Sequence, residues 1–274
     1  TSQDGAGNQN TASNALNVTF DDQAPTVTMS SAAASTTSSS PIAVTIAFNE
    51  SVSGFVNGDI VVSNATKSGF SGSGANYSVT LTPSGQGLVT ADIAANTATD
   101  GAGNNNLAAP QFSRTFDSVA PGLTTSSAEP NPTSATPFAV SIDFTEPVTG
   151  FVNADIAVVN GSKSGFAGSG ASYSVNITPT APGLVTVDVA GSTALDGGNN
   201  GNAAAAQFSR TFDNSSPTLT LTSSASPGPT STSPIPMTAT LSEPVNGFTA
   251  ADIDPVNAAV NNFTGLDGDA VYTF

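Results

Sequence analysis

Gln111-Phe112-Ser113-Arg114-Thr115-Phe116 returns unchanged as Gln207-Phe208-Ser209-Arg210-Thr211-Phe212, and the spacing of 96 residues is the period of the whole chain. Upstream, Asp21-Asp22-Gln23-Ala24-Pro25 becomes Asp117-Ser118-Val119-Ala120-Pro121 and then Asp213-Asn214-Ser215-Ser216-Pro217. Between the two full copies about 57 of 96 positions are identical, far beyond chance for so long a period. Tandem repetition extends length without adding chemistry, so a spacer, stalk or fibre is the first expectation.

The period sets the boundaries. Residues 21–116 and 117–212 are complete units, 213–274 is a partial one, and 1–20 match the C-terminal end of a unit. Phe274 aligns with Val79, so the last unit stops within a strand. Its open face calls for strands from the continuing chain, the favoured reading, or from an adjoining one.

Thr, Val, Ser, Gly and Pro dominate, while helix formers are scarce. Short alternating runs between Gly, Pro and Asn breaks read as strands near Thr26–Ser30, Ile42–Asn49, Ile60–Ser63, Lys67–Phe70, Tyr77–Thr82, Leu88–Ile93 and Ala109–Phe116. Ile42, Val44, Ile46 and Phe48 share one face, as do Tyr77, Val79 and Leu81. Phe48, Phe55, Phe70, Phe112 and Phe116 are core candidates. About seven strands per unit predict an all-β fold, a linear array of immunoglobulin-like β-sandwiches of about 96 residues each. With seven antiparallel strands the first and last run the same way. The chain then enters at one pole and leaves at the other, each unit adding very roughly 35–45 Å.

The formal charge is −16, from 20 acidic and four basic residues. No basic run exists to neutralise phosphates, which excludes nucleic acid and argues against an anionic membrane surface. No apolar run reaches membrane-spanning length. There is no Cys and no His, so thiolate chemistry and the commonest general base are absent. Glu50 and Asp100 form a conceivable acid pair, but the pair recurs in the next unit without a sign of a cleft, so no enzyme is expected.

Strand direction gathers the acids. Glu50, Asp59, the loop Asp100–Asn106 (with Asn104) and linker residues Asp21 and Asp22 all fall at the N-terminal pole of the first unit. Asp117, Glu146, Asp155, Asp196, Asn200 and Asn202 repeat the set, and Asp213, Glu243 and Asp252 begin a third. Asp4, Asn8 and Asn10 echo the loop at the start. Clustered like charges repel unless compensated, and oxygen ligands on Gly-rich turns suit Ca²⁺. Asx turns and caps, with no metal, are the other reading of the same residues.

The order Asp21–Pro25, Phe48–Ile60 and Asp100–Asn104 resembles the bacterial Ig-like repeats of very large surface adhesins. The resemblance spans essentially the whole chain. It implies a secreted, cell-surface or filament location and Ca²⁺ at the junctions. It also implies partners that are neighbouring repeats, with host surface or matrix glycans bound through regions outside this sequence. The loop Asp196-Gly197-Gly198-Asn199-Asn200 departs from the pattern and leaves its ligand register open. An adhesive or carbohydrate-binding module is the alternative, although Trp is absent and Tyr scarce. Lys67 and Lys163 read as solvated lysines rather than partners in an isopeptide bond.

Overall fold

A computed structural model describes residues 2–274. The first unit contains β1 (Val27–Ser30), β2 (Thr36–Thr37), β3 (Ile42–Val52), β4 (Ile60–Ser63), β5 (Ala65–Pro83), β6 (Gly87–Ile93) and β7 (Phe112–Phe116). One sheet has the order β1-β3-β5; the facing sheet has the order β2-β7-β6-β4. All neighbours are antiparallel except β2, which runs parallel to β7 through Thr36↔Thr115 and Thr37↔Phe116. The chain therefore enters and leaves in one direction, as the strand count predicts. This is the immunoglobulin-like sandwich.

The second unit repeats it with β8 (Leu123–Ser126), β9 (Phe138–Val148), β10 (Ile156–Val159), β11 (Gly161–Pro179), β12 (Gly183–Val189) and β13 (Phe208–Phe212), in sheets β8-β9-β11 and β10-β12-β13. Thr133, at the position of Thr37, makes a parallel bridge to Phe212. In the third unit β14 (Leu219–Ser223), β15 (Met237–Val245) and β16 (Asp269–Thr273) form one sheet matching β1-β3-β5.

Alternation does what period two requires. Ile42, Val44, Ile46 and Phe48 of β3 are buried against Tyr77, Val79 and Leu81 of β5, and against Val89 and Ala91 of the opposite sheet. Phe55 packs edge-on to Phe48 at 5.2 Å and to Tyr77 at 5.0 Å, while Phe70 stacks on Tyr77 at 5.8 Å. Phe48, Phe55 and Phe112 are fully buried; Phe70 and Phe116 line the core edge. Phe248, Phe263 and Tyr272 rebuild the same aromatic corner in the third unit.

Three sequence expectations need correction. The strands expected at Lys67–Phe70 and Tyr77–Thr82 are two arms of β5, which doubles back on itself: Ser71 Oγ lies 3.0 Å from Ser78 Oγ. The two-residue β2 carries too little pattern to read from sequence. Residues 2–20, expected to hold a loop and a strand, keep the loop but form no strand, and Leu16, Val18 and Phe20 are exposed. A lone strand with no neighbour to pair with has little stability.

Candidate site at the junction between repeats

Each full unit carries a half-buried glutamate two residues before the end of β3 or β9, Glu50 or Glu146. The bridge Ser53↔Thr99, with Ser53 N–H donating to Thr99 O at 2.7 Å, pins the loop after β6 to the end of β3. The second unit repeats it with Thr149 and Leu195 at 2.7 Å. These clamps bring Asp21, Glu50 and Asp100 together, and likewise Asp117, Glu146 and Asp196; one carboxylate oxygen from each lies within 4.8 Å of the others in its group.

Asp100 is buried and held by its own loop. Its Oδ1 accepts from Ala102 N–H at 2.8 Å and Asn104 N–H at 2.9 Å, and its Oδ2 accepts from Asn104 Nδ2 at 2.9 Å. The Asn104 amide also donates to the Asp21 carbonyl at 3.2 Å, tying the linker to the loop. Asp196 accepts from Asn200 N–H and Nδ2, and Asn200 Nδ2 reaches the Asp117 carbonyl at 3.0 Å. The rewritten loop thus keeps the register of the first: Asp196 N–H donates to Asn200 O as Asp100 N–H does to Asn104 O, both at 3.1 Å. Asn199 takes the left-handed φ of 68° that Gly103 supplies in the other copy. Asp4 to Asn8 form the same turn without a surrounding sandwich, so its geometry is encoded locally.

The electrostatics are one-sided. Hydrogen bonding by the Asn104 side chain holds the Asp100 carboxyl below its usual range. Burial raises Glu50, with Asp100 and Asp21 adding repulsion; burial, Asp117 and Asp196 do the same to Glu146. All four cations of the chain are engaged elsewhere. Lys67 Nζ donates to the carbonyls of Asn57 and Ile60, and Lys163 to those of Asn153 and Ile156, closing 3-10 turns rather than facing solvent. Arg114 donates to Ala33 and Ser31 carbonyls and lies over the Phe112 ring at 4.8 Å; Arg210 does the equivalent with Glu129, Ser127 and Phe208.

Not every expected acid joins the clusters. Asp59 Oδ2 accepts from Val56 N–H at 2.7 Å, Asp155 from Val152 at 2.8 Å and Asp252 from Thr249 at 2.8 Å, each carboxylate capping a 3-10 turn. Asp21, Asp117 and Asp213 also make Asx turns, to Gln23, Val119 and Ser215 N–H. Among the described residues Asp213 and Glu243 belong to no such three-carboxylate group. Asn106 and Asn202 turn inward: Asn106 Oδ1 accepts from Thr97 and Ala98 N–H while its amide donates to Ala94 and Leu107 carbonyls. Sequence reasoning missed this buried plug. Its one signal is an Asn recurring five residues before the unchanged segment that begins at Gln111 and Gln207.

Tandem antiparallel sandwiches joined through acidic corners define an Ig-like repeat protein. Residues 21–115 and 117–212 each match the family model described as bacterial Ig-like domain, and the chain belongs to that family. No curated protein matches the chain. Among solved structures it is similar to invasin, described as a bacterial integrin-binding protein, at 12% identity over 90% of this chain and 53% of that one, TM-score 0.42. It is also similar to the adhesin InvE of Yersinia pseudotuberculosis, at 13% identity over 69% of this chain and 58% of that one, TM-score 0.26. The chain spans between half and three-fifths of the length of these two proteins.

Proposed function

We propose that the chain is a non-catalytic spacer from a secreted or surface-exposed bacterial protein, its repeats stiffened by Ca²⁺ at the junctions. The observation that carries this reading is the recurrence of one carboxylate trio, Asp21/Glu50/Asp100 and Asp117/Glu146/Asp196, where each linker enters its unit. Three oxygen-bearing acids from linker, strand end and loop fit a hard divalent cation, which takes six to eight oxygens in adaptable geometry. A cation there would couple the linker to the folded unit and stabilise the ordered state by linkage. Asn104 and Asn200 orient the buried aspartates; Asp59, Asp155 and Asp252 serve as turn caps instead.

The non-catalytic reading is supported by the duplication of the Glu50/Asp100 pair as Glu146/Asp196 and by the groove between β8 and β13. Its lining, which includes Leu123, Gln207, Phe208 and Arg210, offers no carboxylate. Strong net negative charge and the family's bacterial Ig-like character support a secreted location, with neighbouring repeats as the immediate partners. Any glycan or host ligand would be held by regions outside this segment.

Calorimetric titration of the chain with Ca²⁺ tests the reading. Two sites are expected, one lost in Glu50→Gln and the other in Glu146→Gln. A parent chain that takes up no Ca²⁺ at millimolar concentration refutes it.

A further inference from the structure

The junction between the two full units carries contacts that involve no carboxylate. Thr37, in β2 of the first unit, accepts from Asp117 N–H at 2.9 Å, and the next residue, Ser38, donates its N–H to Gly198 O at 3.2 Å. Gly198 belongs to the second unit's loop. That loop therefore touches the edge of β2 across the junction, while Asn200 Nδ2 holds the Asp117 carbonyl from the other side. On a separate part of the first unit, Gln86 grips Ser118 twice: its Oε1 accepts from Ser118 N–H at 3.0 Å and its Nε2 donates to Ser118 Oγ at 2.7 Å.

The rewritten loop sequence makes the approach possible. Gly198 is buried, whereas Ala102, its counterpart in the first unit, is exposed. A Cβ at position 198 would stand 2.6 Å from the Asp117 carbonyl oxygen and 2.8 Å from Asn200 Nδ2. Only glycine lets the loop come this close to the linker. Gly197 beside it lies near Thr36, where a Cβ would meet Thr36 Cγ2 at 3.7 Å.

We propose that β2 and Gln86 of the first unit, linker residues Asp117 and Ser118, and the Gly198 loop of the second unit form a direct latch that holds the two repeats in one orientation before any Ca²⁺ binds at Asp117, Glu146 and Asp196. The partner of this surface is the following repeat of the same chain. Two anchor points on the first unit, one at β2 and one at the β5–β6 turn, resist both bending and twisting about the linker. The Thr37 contact recurs at the next junction, where Asp213 N–H donates to Thr133 O at 2.9 Å, but the Gln86 grip belongs to this one: Pro182, which has no side-chain hydrogen-bonding group, stands at the position of Gln86 in the second unit.

The chain has no Cys, so Val61→Cys and Val159→Cys, both on strand faces and 63% exposed, give a clean nitroxide pair spanning the junction. Pulsed electron paramagnetic resonance is run on the whole chain in excess chelator. The latch predicts a single narrow distance peak in the parent and its loss in the double variant Q86A/G198V. If the double variant does not fold by circular dichroism, Q86A alone decides, because Gln86 is an exposed side chain. A broad distribution in the chelated parent overturns the proposal, as does a narrow peak that survives in the deciding variant. Binding of Ca²⁺ is measured separately, so failure of the latch and failure of the calcium reading are distinguishable.

Discussion

The buried side chain of Asn106 accepts a hydrogen bond from the backbone of Ala98 at 2.7 Å and so fixes the turn that presents Asp100. Its amide is only 1% exposed, and it satisfies Thr97, Ala98, Ala94 and Leu107 as well. Asn202 does the same for the loop of Asp196.

Replacing Asn106 with Leu leaves several buried backbone groups without partners. Each costs about 1–3 kcal/mol, so Asn106→Leu is expected to destabilise its repeat by about 3 kcal/mol or more. Urea unfolding followed by circular dichroism measures it. A loss under about 1 kcal/mol would mean that water replaces the amide.

Gly72 and Gly168 sit at φ of 123° and 125° in the doubled-back strands β5 and β11. A Cβ at Gly72 would lie 2.3 Å from Asn76 O and 2.6 Å from Tyr77 Cα, both backbone atoms. Gly72→Ala is therefore expected to cost about 2–4 kcal/mol, whereas Gly101→Ala, which meets nothing within 4 Å, should cost under about 1 kcal/mol. Thermal unfolding of the two variants side by side gives the contrast.

Removing the Lys67 ammonium frees the Asn57 and Ile60 carbonyls that it caps. Lys67→Met keeps the aliphatic stem and is expected to lower stability by about 1 kcal/mol. A fully solvated lysine would give no change in the same denaturant titration.

Much of this was legible beforehand because period two and period 96 are both written in side chains. The inward face of β3 and the core phenylalanines follow from alternation, and the meeting of Asp21, Glu50 and Asp100 follows from strand direction. Caps were a legible alternative for the acids as a group, but which acids cap and which cluster was not. Asp59 and Asp100 look alike in sequence, yet one closes a 3-10 turn through Val56 while the other lies in the cluster. The decision rests on which backbone N–H is nearest, and no periodicity reports that. Nor does the sequence announce that the Gly198 loop reaches the neighbouring repeat.

The raised glutamates set a pH dependence. Glu146 has a folded pKa above its ordinary value of 4.5, chiefly through burial and then through Asp117 and Asp196. The protonated form is thus favoured by folding. Metal-free stability contributed at this site is present below 4.5 and is lost as pH rises through the folded pKa. Asp100 works the opposite way, its contribution being lost as pH falls below the ordinary 3.8. In chelator, Glu146→Gln is expected to raise the unfolding midpoint at pH 7 and to flatten its decline just above pH 4.5. A variant less stable than the parent under those conditions would show that the carboxylate is already compensated.

The central claim is tested most directly by the unfolding midpoint of the chain in millimolar Ca²⁺ and in excess chelator, for the parent and for the double variant Glu50→Gln/Glu146→Gln. The account predicts a large Ca²⁺-dependent rise in the parent, reversed by chelator and absent from the variant. Equal midpoints for the parent with and without Ca²⁺ would contradict it, leaving the acids as turn and solubility residues and the stiffness of the array to packing alone.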